Sequence, residues 1–293
     1  MDGAARKLPK VEGRCHRPPL PLLSGVTLLA GLLTCLSCAE VSQRMFLGAR
    51  DREISEATEA IQSARDDGRR AKALSSRGIA YSEKARYSRS FKLIPDAEYE
   101  KLFELAKKDH DQAVALGPND AELYFHRGEA YYDRGTLELT ENKHGEWLDA
   151  AAADFAKATE RDPKNALAYD RLGLTYEATG EWDKAIQAYT REWALNSLGK
   201  SRLADVYCTI GFRHQQQKEF AAAAAAYQKS TGFGPADDKT CPYEPFSAMA
   251  AIYTTETREY DKAWEVVHQA QKAGRPVASE LIRQLKDASG RGN

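Results

Sequence analysis

Along most of the chain, apolar positions recur every three or four residues, the spacing that lines one face of a helix. The pattern is cleanest over residues 166–199. Tyr169, Leu172, Gly173 and Tyr176 fall on one helical face, the pattern breaks at Gly180, and Trp182, Ala185, Ile186 and Tyr189 restart it. Gly180 suits a tight turn because glycine tolerates positive φ. Gly173 and Ala185 are small, so two helices can approach closely while the large rings fill the seams beside them. The stretch predicts a hairpin of two helices.

The hairpin recurs. Gly173 and Tyr176 have counterparts in Gly128 and Tyr131, Gly78 and Tyr81, Gly211 and His214, and Ala250 and Tyr253. Each copy then carries a second helix of small–large–small spacing: Ala106, His110 and Ala113; Ala151, Phe155 and Ala158; Ala185, Tyr189 and Glu192; Ala223, Tyr227 and Ser230; Ala263, Val267 and Ala270. Pro118, Pro163, Pro235 and Pro276 close the units, since proline cannot continue a helix. This five-fold pattern resembles the tetratricopeptide repeat, W-x2-L-G-x2-Y…A-x3-F…P. The resemblance implies an all-α, right-handed solenoid of about five helix-turn-helix repeats. Arg77 and Arg127 depart from it, standing where the pattern has Leu. Residues 53–67, with Ala57, Ile61 and Ala64, read as a half-unit covering the N-terminal face. Residues 277–288, apolar at Leu281, Ile282 and Leu285, read as the polar-faced cap at the other end.

The expected division is a signal peptide or membrane anchor (1–37), a linker (38–50), a repeat domain (51–288) and a disordered tail (289–293). The repeats cover 71–120, 121–165, 166–199, 204–237 and 243–277. Successive glycines lie 50, 45 and 38 residues apart, and the last Gly-to-Ala step is 39, against an ideal of about 34. The first two excesses lengthen the hairpins of copies one and two. They predict either a joint apolar ridge or lid that serves binding, or longer helices packed on each other without a binding role. The other two fall between copies, at 197–202 and 238–244.

The N-terminus breaks the pattern. Arg6, Lys7, Lys10, Arg14 and Arg17 precede an uncharged run from Leu20 to Ser37. A basic start, an apolar run and small residues at its end read as a secretory signal, and the run is also near the lower limit for a spanning helix. Its end resembles the lipobox of bacterial lipoproteins, which implies lipidation of Cys38, although Cys35 stands where that motif has Leu. Localisation to a cell envelope, as a membrane-anchored lipoprotein or a secreted or periplasmic chain, follows from these expectations. After cleavage only Cys208 and Cys241 remain in the body; an exported chain could join them, and two small semi-buried thiols are the other reading.

Composition adds exclusions. A net charge of −1 over 293 residues offers no basic face for nucleic acid. The sequence contains no glycine-rich phosphate loop, no G-x-S-x-G and no H-E-x-x-H, and its six histidines show no metal-ligand spacing. No catalysis, cofactor or small-molecule substrate is expected. What remains is a scaffold or adaptor for a protein or peptide partner, with membrane attachment through the N-terminus. The alternative is a structural subunit of a larger membrane-associated assembly. Helical spacing places Ser75, Ile79, Phe125, Glu129, Tyr132, Asp170, Leu174, Glu177, Phe212 and Gln215 along the concave groove, together with Leu167, Asp205 and Cys208. Aromatics mixed with carboxylates suit a segment with apolar anchors and basic character. Chaperone-tail-binding relatives grip a terminal carboxylate with basic residues, and here acid would meet acid.

Overall fold

The computed structural model describes residues 26–137, 141–234, 244–275 and 277–291; the side chains of 26–40 and 141–143 lie outside that description. The chain divides into two units, Met1–Ala49 and Arg50–Asn293. In the first, the described residues are helical, from the start of α1 (Val26–Ser63). Residues 38–50, expected as a linker, therefore belong to a helix. The segment contains no proline and is rich in Ala, Glu, Gln, Arg, Met and Leu, all good helix formers. The expected signal falls largely on residues outside the description, as does the side chain of Cys38. Among the described residues no helix is long and apolar enough to cross a membrane.

In the second unit all described secondary structure is helical. Its hairpins are α2 (Asp67–Ser90) with α3 (Asp96–Leu116), α4 (Ala121–Leu137) with α5 (Glu141–Arg161), α6 (Ala166–Thr179) with α7 (Trp182–Leu195), and α8 (Leu198–Gln216) with α9 (Phe220–Phe233). A fifth joins α10 (Pro245–Ala251), which runs into a π-helical turn at Ile252–Glu256, to α11 (Tyr260–Lys272). Each second helix packs on the first helix of the next hairpin, and α2, α4 and α6 pack side by side. The result is a helical solenoid with its first helices on one face. At its N-terminal end Ile61 of α1 packs against the buried core; at the other, α12 (Ser279–Ser289) inserts Leu285, which is fully buried. The expected tail begins too early, because Ser289 closes α12 and Arg291 pairs with Asp261 at 2.5 Å.

The seams explain the glycines. A Cβ at Gly173 would stand 2.4 Å from the Tyr189 ring, and those at Gly78, Gly128 and Gly211 would meet His110, Phe155 and Tyr227 at 2.8, 2.9 and 2.8 Å. All four rings are fully buried. In copy one the ring is a neutral imidazole: burial lowers the His110 pKa to about 3.

Arg77 and Arg127 are structural replacements for the expected Leu. Arg77 grips Asp109 through two bonds of 2.7 and 2.8 Å, and Arg127 grips Asp154 at 2.7 and 2.9 Å. Each Asp directly precedes the seam ring of its second helix. In copies three, four and five the same two positions hold Leu172 and Ala188, Ile210 and Ala226, and Met249 and Val266. The seam is thus closed either by a bidentate ion pair or by two apolar side chains.

The turn inside each later hairpin repeats a left-handed residue. Gly180 (φ 79°), Lys218 (φ 62°) and Arg258 (φ 57°) occupy it, followed by Glu181, Glu219 and Glu259 at the helix N-caps and then by an aromatic. Only Gly180 is free of a steric cost there. Lys218→Gly is expected to stabilise the protein by about 0.5 kcal/mol, the strain relief being partly offset by greater unfolded-chain entropy. A rise in the urea midpoint at unchanged m would show it; an unchanged or lower midpoint would contradict it.

The lengthened hairpins contain longer helices, 24 and 21 residues in α2 and α3 against 14 and 14 in α6 and α7. Their extensions also pack against each other across the two copies. The buried Arg134 guanidinium lies 5.1 Å from the Tyr99 and Phe103 ring centres and 6.0 Å from that of Trp147, and bonds Glu100 at 2.9 Å. Phe103 and Trp147 meet edge to face at 5.1 Å, joining copy one to copy two.

Candidate binding groove

The first helices carry a ladder of ion pairs from copy to copy. Arg86 of α2 reaches Asp133 of α4 at 3.2 Å. Glu129 of α4 takes Arg171 of α6 at 2.5 Å, and Arg171 also bonds its neighbour Asp170 at 3.0 Å. Arg202 of α8 completes the series on Asp170 at 2.7 Å. Helical spacing makes Glu129 and Asp170 open acidic contacts; arginines of the adjacent copies hold both. Arg86, Arg171 and Arg202 escape a sequence reading because their partners lie in other copies.

Two pockets border these ion pairs. One, of about 270 Å³, gathers Ile79, Glu129 and Tyr132 with His110, His126, Asp133 and Arg171. Burial pushes Asp133 up to about 6 against the opposing pull of Arg86, and lowers His126. The second, of about 330 Å³, gathers Asp170 with Leu167, Glu192, Leu198, Arg202 and Asp205. Here burial first, then the charge of Asp170, pushes Glu192 up to about 7.

The remaining predicted groove residues divide. Ser75 and Phe125 are buried at 4% and 8% exposure and serve the core, with Phe125 against Phe155 at 5.7 Å. Phe125 meets the second helix of its own hairpin, which spacing along the first helix alone does not show. Cys208 is likewise fully buried and is disulfide-bonded; Cys241 lies outside the described residues. Gln215 accepts a 2.9 Å hydrogen bond from the Tyr227 hydroxyl, and Phe212 packs against the C-terminal core cluster. Gln215 therefore contributes to packing inside copy four, and Phe212 to the core that joins copies four and five. Leu174 and Glu177 are half-buried, and burial pushes the Glu177 carboxyl up to about 7. Among the described residues no group of three or more His, Cys, Asp or Glu side chains could hold a metal ion.

Fold and groove together define the class: a solenoid of helical hairpins with two pockets bordering the ion pairs of its first helices. A family model described as tetratricopeptide repeat matches residues 155–187, which hold most of the least altered hairpin. Comparison with curated proteins finds no match. Among solved structures, TTC0263, a thermophilic TPR protein of Thermus thermophilus, is 21% identical, with 68% of this chain and 90% of that one covered and a TM-score of 0.40. YrrB, described as a TPR protein with an unusual peptide-binding site, is 16% identical over 80% and 98% of the two chains, with a TM-score of 0.41. BtubC from P. vanneervenii is 15% identical over 86% and 94%, with a TM-score of 0.43. Proteins of the tetratricopeptide type are generally protein-interaction scaffolds.

Proposed function

We propose that this chain is a non-catalytic scaffold, exported and held at a membrane by its N-terminal segment, that grips a protein or peptide segment along its first-helix face. The observation that carries the reading is a pair of pockets bordering one ladder of ion pairs, through Arg171 in the first and Asp170 and Arg202 in the second, which Leu167 and Leu198 flank at 50% and 65% exposure. Exposed leucines beside a polar pocket offer an anchor and a specificity element side by side. The basic start and apolar run support export, and the disulfide at Cys208 suits an oxidising compartment. In this reading Cys38 is the point of lipid attachment, and Cys241, the remaining body cysteine, is the disulfide partner.

The groove is tested by cross-linking and capture from native membranes with the full chain and its Leu174→Glu variant. Wild type is expected to retain a partner that the variant loses, with melting unchanged. Equal capture by both would overturn the groove reading. Intact mass tests the N-terminus: a mature chain beginning at a lipid-modified Cys38 is expected, and one retaining Met1 would exclude both lipidation there and cleavage.

A further inference from the structure

The hairpin closest to the repeat pattern carries a buried acid on its packing seam. Glu192 occupies the third small position of the second helix, where the other copies hold Ala113, Ala158, Ser230 and Ala270. All five residues are buried, Glu192 at 1% exposure. Ser230 satisfies its hydroxyl on the Ala204 carbonyl at 2.7 Å. Glu192 Oε2 has no hydrogen-bond partner. Alanine would fill this seam without penalty, whereas a buried carboxylate without a partner is strongly disfavoured.

A second departure stands over the first. The extra residues between copies three and four start α8 early, at Leu198. Gly199 lets that added turn lie against the end of α7: a Cβ there would fall 2.3 Å from the Trp193 amide nitrogen and 2.5 Å from the Tyr189 carbonyl oxygen. The turn carries Leu198 and Arg202 into the pocket above Glu192. Arg202 is already engaged with Asp170, and Asp170 takes Arg171 as well.

We propose that this pocket between α6, α7 and α8 receives a basic side chain, a lysine or arginine of the segment the groove holds. The proposal rests on the groove reading and adds the chemistry of one contact. The incoming ammonium or guanidinium supplies the donor Glu192 lacks, in a charge-assisted bond. Leu167 and Leu198 cover its methylene stem, as apolar surface does for long cationic side chains. Asp170 of α6 and Asp205 of α8 face Glu192 with negative charge, and Arg202 of α8 with positive charge. The cation draws Glu192 into its ionised form, so binding strengthens as pH rises through 7.

The probe is a set of fluorescein-labelled heptapeptide pools, degenerate at every position except the fourth, fixed as Lys, Arg, norleucine or Glu. They are titrated against the full chain by fluorescence polarisation. The Lys and Arg pools are expected to bind about tenfold more tightly than the norleucine pool, and the Glu pool most weakly. In Glu192→Gln the preference of the Lys and Arg pools over norleucine collapses to near unity. Affinity for the Lys pool is expected to rise about tenfold from pH 6 to pH 8 in wild type, and not in the variant. Equal binding of Lys and norleucine pools, a preference that survives Glu192→Gln, or no binding of any pool would overturn the proposal. Equal binding that Leu174→Glu abolishes would leave the groove reading standing; partner capture insensitive to Leu174→Glu would remove that reading itself.

Discussion

Arg127→Ala is expected to destabilise the second hairpin by about 3–5 kcal/mol, whereas the double variant Arg127→Leu/Asp154→Ala is expected to fold with stability near wild type. The single change strands Asp154, whose side chain is 4% exposed and whose two bonds come from Arg127. It also removes the cation from between the Tyr124 and Tyr131 rings, 5.9 and 5.8 Å from its centre. Asp111 suffers less, since Lys107 still holds it at 3.0 Å and it is 39% exposed. The double variant restores the Leu–Ala pair that closes the third copy at Leu172 and Ala188. Replacing a buried ion pair by apolar residues of suitable volume is often neutral or better, while removing one partner is not. Because repeat arrays can unfold in parts, the measurement is hydrogen exchange across α4 and α5 alongside urea unfolding. A single variant that costs under about 1 kcal/mol, or a double variant as unstable as the single, would show that the pair does not close the seam.

That exchange of an ion pair for an apolar pair also shows where the sequence stops being legible. Seam glycines, seam rings and the Gly180 turn are readable because each is set by spacing within one hairpin. Arg77 and Arg127 are visible as departures, but their partners stand 32 and 27 residues away on the opposite helix. Only aligning both helices of every copy shows the Arg–Asp columns against Leu–Ala and Ile–Ala. The groove is less legible because its chemistry is made between copies. Helical spacing assigns Ser75, Phe125 and Cys208 to an open face, yet all three are buried, Phe125 against Phe155 of its own hairpin. It assigns Glu129 and Asp170 as free acids, yet Arg171 and Arg202 arrive from other helices to take them. Glu192 carried a readable signal, a lone acid in a column of Ala and Ser, but its position on a packing seam gives no hint that a pocket opens there. The pocket needs the extra turn of α8, whose placement depends on Gly199 meeting the α7 backbone.

Glu192→Gln is expected to stabilise the unliganded protein by about 2–3 kcal/mol at pH 8 and by almost nothing near pH 4.5. The Glu192 carboxyl is held near pH 7 in the fold, against 4.5 as its ordinary value, first by burial and then by Asp170. The folded chain therefore binds this proton more tightly than the unfolded chain. Its contribution is most favourable below pH 4.5, is lost progressively as pH rises to about 7, and stays lost above. Asp133 and Glu177, raised to about 6 and about 7 by burial, push wild-type stability the same way, but they are present in both proteins and cancel in the difference. Glutamine has nearly the same shape and no charge, so the gain should follow ionisation of Glu192 alone. Urea unfolding of both proteins from pH 4.5 to 8.5 measures it. A gain that is the same at every pH would mean that glutamine improves packing instead, and no gain at pH 8 would mean that the buried carboxylate costs the fold nothing. The predicted dependence has a functional meaning as well. A residue that weakens the free protein at neutral pH, in the one copy otherwise closest to the repeat pattern, is stabilised by the cation that pairs with it, so saturating Lys-pool peptide should reduce the advantage of glutamine at pH 8.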